Sequence, residues 1–195
     1  MKRQLKKEES LIVQHGWKYG KEGVNEKIRT ALLKEQRYIC AYTETFLGRT
    51  DSKDIEHFNP TLKDTDSDTY ENWFVVKHQW NSEKSTKWDK FQPILHPCDE
   101  DFEKRVFYED GYYDYNEGDI EAKNLIKLLK LDDLALAEER KNYLNGLKAD
   151  IADLGIDIEK RIHHLLKTNP NHVYFIRAIE EEFNITIKWE DTEEV

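Results

Sequence analysis

Hydrophobic side chains recur at helical spacing in several stretches of the chain. Ile28 and Leu32 fall on one face of a helix predicted over residues 25–37. In the second half, Gly155 is a typical helix stop, and Asn171 is a candidate N-cap for the last helix. Four further helices are predicted there, over residues 120–130, 133–153, 158–167 and 171–183.

The first half of the chain is richer in β-forming residues. Residues 38–47 and 54–58 are predicted to be strands, separated by turn-forming residues. A polar loop follows, and from Asn81 onward the pattern favours a helix. Between the two halves, Asp110 and Gly111 lie between aromatic runs, which predicts a β-hairpin.

Predicted strands followed by a run of predicted helices indicate an α+β fold. A last strand is predicted over residues 185–189, before an acidic tail. Four parts are therefore expected: a basic N-terminal arm (1–29), a strand-containing unit (30–95), a connecting segment with the hairpin (96–117) and a helical region with the acidic tail (118–195).

Composition narrows the class of protein. The chain has 195 residues, of which 36% are charged, and no apolar run approaches the ~20 residues that span a bilayer. The basic N-terminus is not followed by the apolar run of a signal peptide. The two cysteines, Cys40 and Cys98, are too few for a disulfide framework. We therefore expect a cytoplasmic protein with reduced thiols and no membrane partner.

Charge is unevenly distributed along the chain. The formal net charge is −10, which argues against a nucleic-acid partner. Residues 1–30 nevertheless hold eight basic and four acidic side chains. This arm either follows phosphates or is a frayed, solvated terminus, and the sequence alone favours neither.

Three short motifs concentrate the residue types that catalysis uses. They are Asp-Ile-Glu-His-Phe-Asn-Pro at 54–60, Tyr-Glu-Asn-Trp at 70–73 and Gln-Trp-Asn-Ser-Glu-Lys at 79–84. Each alone is weak, since a lone histidine at a strand end is more often structural. Their order and spacing carry the signal: an acidic residue beside a histidine, an asparagine before an aromatic residue, then Asn-x-x-Lys.

Together the motifs resemble the HNH nuclease module, a β-hairpin and a following helix that close around one divalent metal ion. The resemblance covers about residues 33–88. Residues 40–44 (Cys-Ala-Tyr-Thr-Glu) are similar to the lead-in of one subgroup, which includes the nuclease subunit of Septu-type antiphage defence (PtuB-like) and retron-associated HNH proteins. The resemblance implies that the unit 30–95 is an HNH module with the ββα-metal fold, followed by a helical C-terminal region.

Five residues carry the implied chemistry. His57 is the candidate general base, because a neutral imidazole can take a proton from water near pH 7. By resemblance, Glu56 and Asn81 are the metal ligands, and hard oxygen ligands suit Mg²⁺ or Mn²⁺. Asn72 matches the central asparagine of the motif, which implies that it holds the loop and orients His57. Lys84 is a candidate contact for the phosphate or the transition state.

The chain departs from the subgroup at Thr43, which stands where a second cysteine would complete a Cys-x-x-Cys half-site. Residues 77–80 also lack cysteine, so no structural zinc is expected. Packing must then hold the unit together. The candidate core residues are Phe46, Trp73, Phe74, Trp80 and Trp88.

The three motifs and their resemblance to the HNH module imply a metal-dependent endonuclease that hydrolyses DNA. The resemblance adds a role in antiphage defence with a partner such as an ATPase subunit. Two alternatives stay open: a binding or scaffold subunit with a weak site, and a toxin-like nuclease controlled by a partner. Since residues 51–90 carry six lysines against nine acidic residues, the chain alone is expected to bind DNA poorly.

Overall fold

The structure, a computed structural model, describes residues 1–187 and has an α+β architecture with two separate antiparallel sheets, β1–β2 and β3–β4. The strands are β1 (Lys53–His57), β2 (Trp73–Lys77), β3 (Val106–Glu109) and β4 (Tyr112–Tyr115). The helices are α1 (Leu11–Gln14), α2 (Asn25–Glu35), α3 (His78–Lys84), α4 (Phe102–Arg105), α5 (Ile120–Leu129), α6 (Leu134–Leu154), α7 (Ile158–Thr168) and α8 (Ile176–Phe183). Short 3₁₀ helices lie at Pro60–Leu62, Tyr70–Asn72, Ser85–Phe91 and Pro170–His172.

Strand β2 lies at the centre of the first hydrophobic cluster. Trp73, Phe74, Val75 and Val76 are all buried, so protein covers both faces of this strand. The side-chain amide of Gln36, just after α2, accepts from the Val75 N–H and donates to the Val75 carbonyl, each at 2.8 Å. This amide satisfies the backbone N–H and carbonyl of Val75, which point away from β1.

The prediction of a strand over residues 38–47 is wrong. The chain reverses here in a tight turn, in which the Glu44 N–H donates to the Cys40 carbonyl (3.0 Å) and the Cys40 N–H to the Thr45 carbonyl (2.9 Å). Only one isolated β-bridge joins its two sides. Glu44 has a φ of 59°, which the turn requires. The β-forming residues reflect burial of the turn, since β propensity measures packing on a half-buried surface and not chain direction.

The hairpin and most predicted helices are confirmed. Asp110 and Gly111 connect β3 and β4 with φ of 42° and 86°, as a two-residue hairpin turn needs. Helices α2, α5, α6 and α7 correspond to predictions within about two residues, and Gly155 ends α6 with a φ of 61°. The helix predicted from Asn81 begins three residues earlier, at His78.

The C-terminal predictions need correction. Asn171 does not cap the last helix, because it lies in a 3₁₀ turn, and α8 begins only at Ile176. Residues 185–187 form no strand, and the rest of the strand predicted over 185–189, like the acidic tail after it, lies outside the described residues.

The start of the chain is packed against the rest of the protein, so the alternative of a frayed, solvated N-terminal arm is also wrong. Met1 is fully buried, and the Gln4 N–H donates to the Pro97 carbonyl at 2.9 Å. The Lys6 ammonium donates to the Trp73 carbonyl and lies over the rings of Tyr70 and Phe74. Across residues 1–187, none of the helices has the length and apolarity needed to cross a bilayer.

The turn between β3 and β4 packs tightly on α6, which gives a stability test. A Cβ at Gly111 would lie 2.7 Å from Lys141 Cγ and 3.1 Å from the Ala137 carbonyl oxygen, whereas a Cβ at Gly118 has no atom within 4 Å. Both glycines have positive φ, so both alanine variants carry a strain of about 1 kcal/mol. We expect Gly111→Ala to lower the free energy of unfolding by about 1–3 kcal/mol more than Gly118→Ala, measured by chemical denaturation. Equal losses would contradict the contact.

Candidate functional site

Strand β1 and helix α3 form one wall of a cleft of about 290 Å³. In the antiparallel register, His57 pairs with Trp73 and Glu56 with Phe74, and α3 continues directly from β2. The cleft brings four of the predicted site residues together, while Asn72 lies behind it. Its lining residues are Tyr19, Asn25, Arg29, Asp54, Ile55, Glu56, His57, Pro60, Lys63, Asn81 and Lys84.

Glu56 and Lys84 form a buried ion pair within the cleft. The Lys84 ammonium contacts Glu56 Oε1 and donates to the His57 carbonyl oxygen at 2.8 Å. Burial raises the pKa of Glu56 and lowers the pKa of Lys84, and each charge partly offsets the shift of the other. The ammonium that was predicted to contact phosphate is therefore held by a carboxylate in this arrangement.

Asp54 organises the helix side of the cleft. Its Oδ2 accepts from Asn81 Nδ2 and contacts His78 Nδ1, each at 2.8 Å. The bond to Asn81 Nδ2 leaves the amide oxygen Oδ1 as the acceptor atom of that side chain. Asp54 and Glu56 are two positions apart on β1, so both point to the same face of the strand.

His57 is only 5% exposed and lies at the end of β1. Its Nε2 lies 3.0 Å from Asp68 Oδ2, although the N–H is not aligned for a hydrogen bond. The Tyr19 ring lies edge-on to the imidazole, with 4.5 Å between the centroids. Burial lowers the pKa of His57, opposed by the Asp68 carboxylate and assisted by Lys63. The imidazole is therefore mostly neutral at pH 7.

Asn72 holds the loop that follows His57. Its Oδ1 accepts from the Asn59 N–H at 2.7 Å, and its Nδ2 donates to the Asn59 carbonyl at 3.1 Å and to Asp68 Oδ1 at 3.2 Å. Trp73 Nε1 also donates to Asp68 Oδ1, at 2.7 Å. Asn72 and Trp73 thereby fix the carboxylate that faces His57.

Sequence reasoning did not identify five of the residues that shape the cleft: Tyr19, Arg29, Asp54, Lys63 and Asp68. Asp54 had a usable signal, because a residue two positions before Glu56 on a strand shares its face. Asp68 had only a weak one, its place four residues before Asn72. The other three come from loops and from α2, and only the tertiary fold brings them to His57.

The donor atoms in the cleft fit the divalent ion that the resemblance implies. Mg²⁺ binds through one or two carboxylates and keeps several waters, and amide oxygens also suit it. Glu56, Asp54 and Asn81 supply such oxygens, with Glu56 Oε1 shared with Lys84. Within residues 1–187, no group of three or more His, Cys, Asp or Glu side chains is arranged to hold a metal ion. The protein ligands here are therefore few, and water or phosphate must supply the others.

No family model matches this chain, and no curated protein is significantly similar to it.

The contact between Asp68 and His57 predicts a pKa change. Because the carboxylate raises the pKa of His57, Asp68→Asn lowers that pKa further below the usual ~6.5. The measurement is an NMR titration of the His57 Cε1 proton in both proteins. Asp66→Asn, on an exposed position of the same loop, is the matched control and leaves the midpoint unchanged. A higher midpoint in Asp68→Asn would refute the assigned contact.

The buried ion pair predicts unequal effects of two lysines. Lys84→Met leaves the Glu56 carboxylate buried and unpaired, so the free energy of unfolding falls by about 3 kcal/mol at pH 7. The loss shrinks as the pH falls, because the unpaired Glu56 then binds a proton in the folded state. Lys87→Met, at an exposed position just after α3, changes stability little. Chemical denaturation at pH 5 and pH 7 measures both, and equal effects would contradict the pair.

Proposed function

We propose that this chain is a metal-dependent endonuclease of the HNH type that hydrolyses phosphodiester bonds in DNA. One observation carries the proposal: a single cleft holds Glu56, His57, Asn81 and Lys84, which the sequence separates by up to 28 positions. A strand pair followed directly by a helix positions all four. This agreement between motif and geometry supports an HNH module within residues 30–95.

His57 is the proposed general base. The Asp68 carboxylate beside Nε2 favours the tautomer with the proton on that nitrogen. Nδ1 then remains unprotonated and accepts the proton of a water that attacks the phosphorus atom. The lowered pKa of His57 keeps this base available at neutral pH. Asn72 acts through Asp68 and the Asn59 backbone, so it is a positioning residue.

Glu56 and Asn81, with Asp54 beside them, would hold Mg²⁺ or Mn²⁺. When bound, such an ion stabilises the negative charge that develops on the leaving oxygen. Lys84 supplies a second positive charge next to the same carboxylate. Its release from Glu56 would let the ammonium contact a phosphate oxygen, in the role that the motif implies.

DNA is the proposed partner, and the resemblance adds an antiphage defence complex in the cytoplasm with a subunit such as an ATPase. The net charge of −10 supports a need for help in holding DNA, since phosphate contacts dominate such affinity. A basic partner chain would supply the additional phosphate contacts.

One observation favours the alternative of a weak site within a scaffold subunit. The Lys84 ammonium occupies Glu56 Oε1, the atom that a metal ion would share. If that pair never opens, the cleft binds metal poorly, and the chain serves to bind and position other components.

Cleavage by His57→Ala tests the proposed function. Wild-type protein is expected to nick or linearise plasmid DNA in Mg²⁺ or Mn²⁺ and to stop in EDTA. His57→Ala is expected to lose about 10²- to 10⁴-fold in rate, because the positioned base is gone. Supercoiled plasmid separated on agarose gels gives the rates.

His164→Ala is the matched control, since this histidine is exposed on α7 and lies outside the cleft. It should cut like wild type. Absence of cleavage by wild type in either metal, with candidate partner subunits added, would reject the nuclease. Undiminished cleavage by His57→Ala would reject the assigned base.

A further inference from the structure

The cleft has a second wall that none of the three motifs supplies. Tyr19 comes from the loop between α1 and α2, Arg29 from α2, and Lys63 from the loop after β1. They line the same cleft as His57 and Glu56. Besides Asn25 of α2, this wall therefore presents one aromatic ring and two cations beside the proposed base.

The loop between α1 and α2 has an unusual composition. Residues 15–24 read His-Gly-Trp-Lys-Tyr-Gly-Lys-Glu-Gly-Val, with rings at three alternate positions and glycines and lysines between them. His15 and Trp17 are already stacked, with 5.1 Å between their centroids and 14° between their planes. Lys18 and Lys21 are exposed and form no ion pair within residues 1–187. Alternating rings and cations on a surface suit a single nucleic-acid strand, whose bases stack and whose phosphates bind cations.

The two cations of the wall are available to an anion. Arg29 pairs through Nη1 only with Glu26, which is 73% exposed, and its buried Nε has no hydrogen-bond partner among the described residues. The Lys63 ammonium lies 5.5 Å from the centre of the Tyr19 ring and forms no ion pair in the described part of the chain. Exposed pairs and cation–π contacts of this kind are weak, so a phosphate can replace them.

The proposed base is little exposed within the cleft. His57 is 5% exposed, and Tyr19 and Lys63 approach each other from two different segments beside it. In a duplex the bases are stacked and paired, and the sugar-phosphate backbone runs along the outside of a stiff double helix. A single strand can instead turn one phosphate inward and place the adjacent base on an aromatic ring.

We propose that the wall formed by Tyr19, Arg29 and Lys63 selects single-stranded DNA, with a base stacked on Tyr19 and the adjoining phosphates held by Arg29 and Lys63. The inference rests on the proposed nuclease function and names its substrate class. Tyr19 is the selecting residue, because it both stacks and limits access to His57.

Binding without cleavage separates the two proposals. Fluorescence anisotropy of a labelled strand of about 12 nucleotides, and of the same strand in a duplex, is measured in EDTA so that nothing is cut. Wild type is expected to bind the single strand at least about 10-fold more tightly than the duplex. Tyr19→Ala should weaken single-strand binding about 10-fold, whereas Tyr19→Phe, which keeps the ring, should not.

Salt dependence tests the cations separately. Replacing Arg29 and Lys63 together by glutamine should reduce the slope of log K against log salt by about 1.4, the value for two phosphate contacts on a single strand. The matched control replaces Lys160 and Lys167 on α7 by glutamine, which removes the same charge outside the lining of the cleft and should leave the slope unchanged. This arm decides the matter if Tyr19→Ala fails to fold.

Two results would overturn the inference while leaving the nuclease intact. They are equal binding of strand and duplex, and an equal change of slope in both double variants. The expected binding results without cleavage in any metal would instead reject the nuclease and keep the single-strand site.

Discussion

The buried carboxylate of Glu44 joins segments that are far apart along the chain. It accepts from the Tyr113 hydroxyl of β4 at 2.6 Å and from the backbone N–H groups of Lys2 (3.0 Å) and Arg177 (3.3 Å). The carbonyl of Glu44 accepts from the Phe175 N–H at 2.9 Å. Although burial raises the pKa of Glu44, the surrounding donors and positive charges lower it below its usual value. The ionised carboxylate is thus the common partner of the start of the chain, the hairpin and the last helix.

The same turn supports the cleft. The Ala41 N–H donates to the Val75 carbonyl at 3.2 Å, so the turn packs along β2. Tyr42 is fully enclosed and directs its hydroxyl at Glu56 Oε1, 3.5 Å away. Burial raises the pKa of Tyr42, which keeps the hydroxyl protonated as a donor. The turn therefore connects the packing of the helical region to a proposed metal ligand.

The sequence predicted best what short-range spacing determines. The strand at Glu56 and His57, the hairpin at Asp110 and Gly111, and helices α5, α6 and α7 follow from local patterns that the fold retains. Residues 38–47 failed because their β-forming side chains are buried at a turn whose direction depends on Glu44, and its partners lie up to 133 positions away. Periodicity has no access to such contacts.

The cleft shows the same division. Glu56, His57, Asn81 and Lys84 belong to motifs, whereas Tyr19 reaches His57 from an upstream loop. A stretch of glycine, lysine and aromatic residues has no strand or helix period. The sequence pattern therefore indicates that this stretch is basic, but not where it lies in the fold. The residues on the β1 and α3 wall could be identified from the sequence. The residues proposed to select the substrate could be identified only from the tertiary structure.

The hydrogen bonds between Asn59 and Asn72 also determine where the chain can change in length without disturbing the site. Both ends of the intervening loop are fixed, since Asn72 binds the Asn59 backbone through its side-chain oxygen and nitrogen. Residues 64–67 between them are exposed. Doubling the length of a loop costs only about 0.6 kcal/mol in closure entropy. A peptide tag inserted at residues 64–67 is therefore expected to leave the imidazole in place.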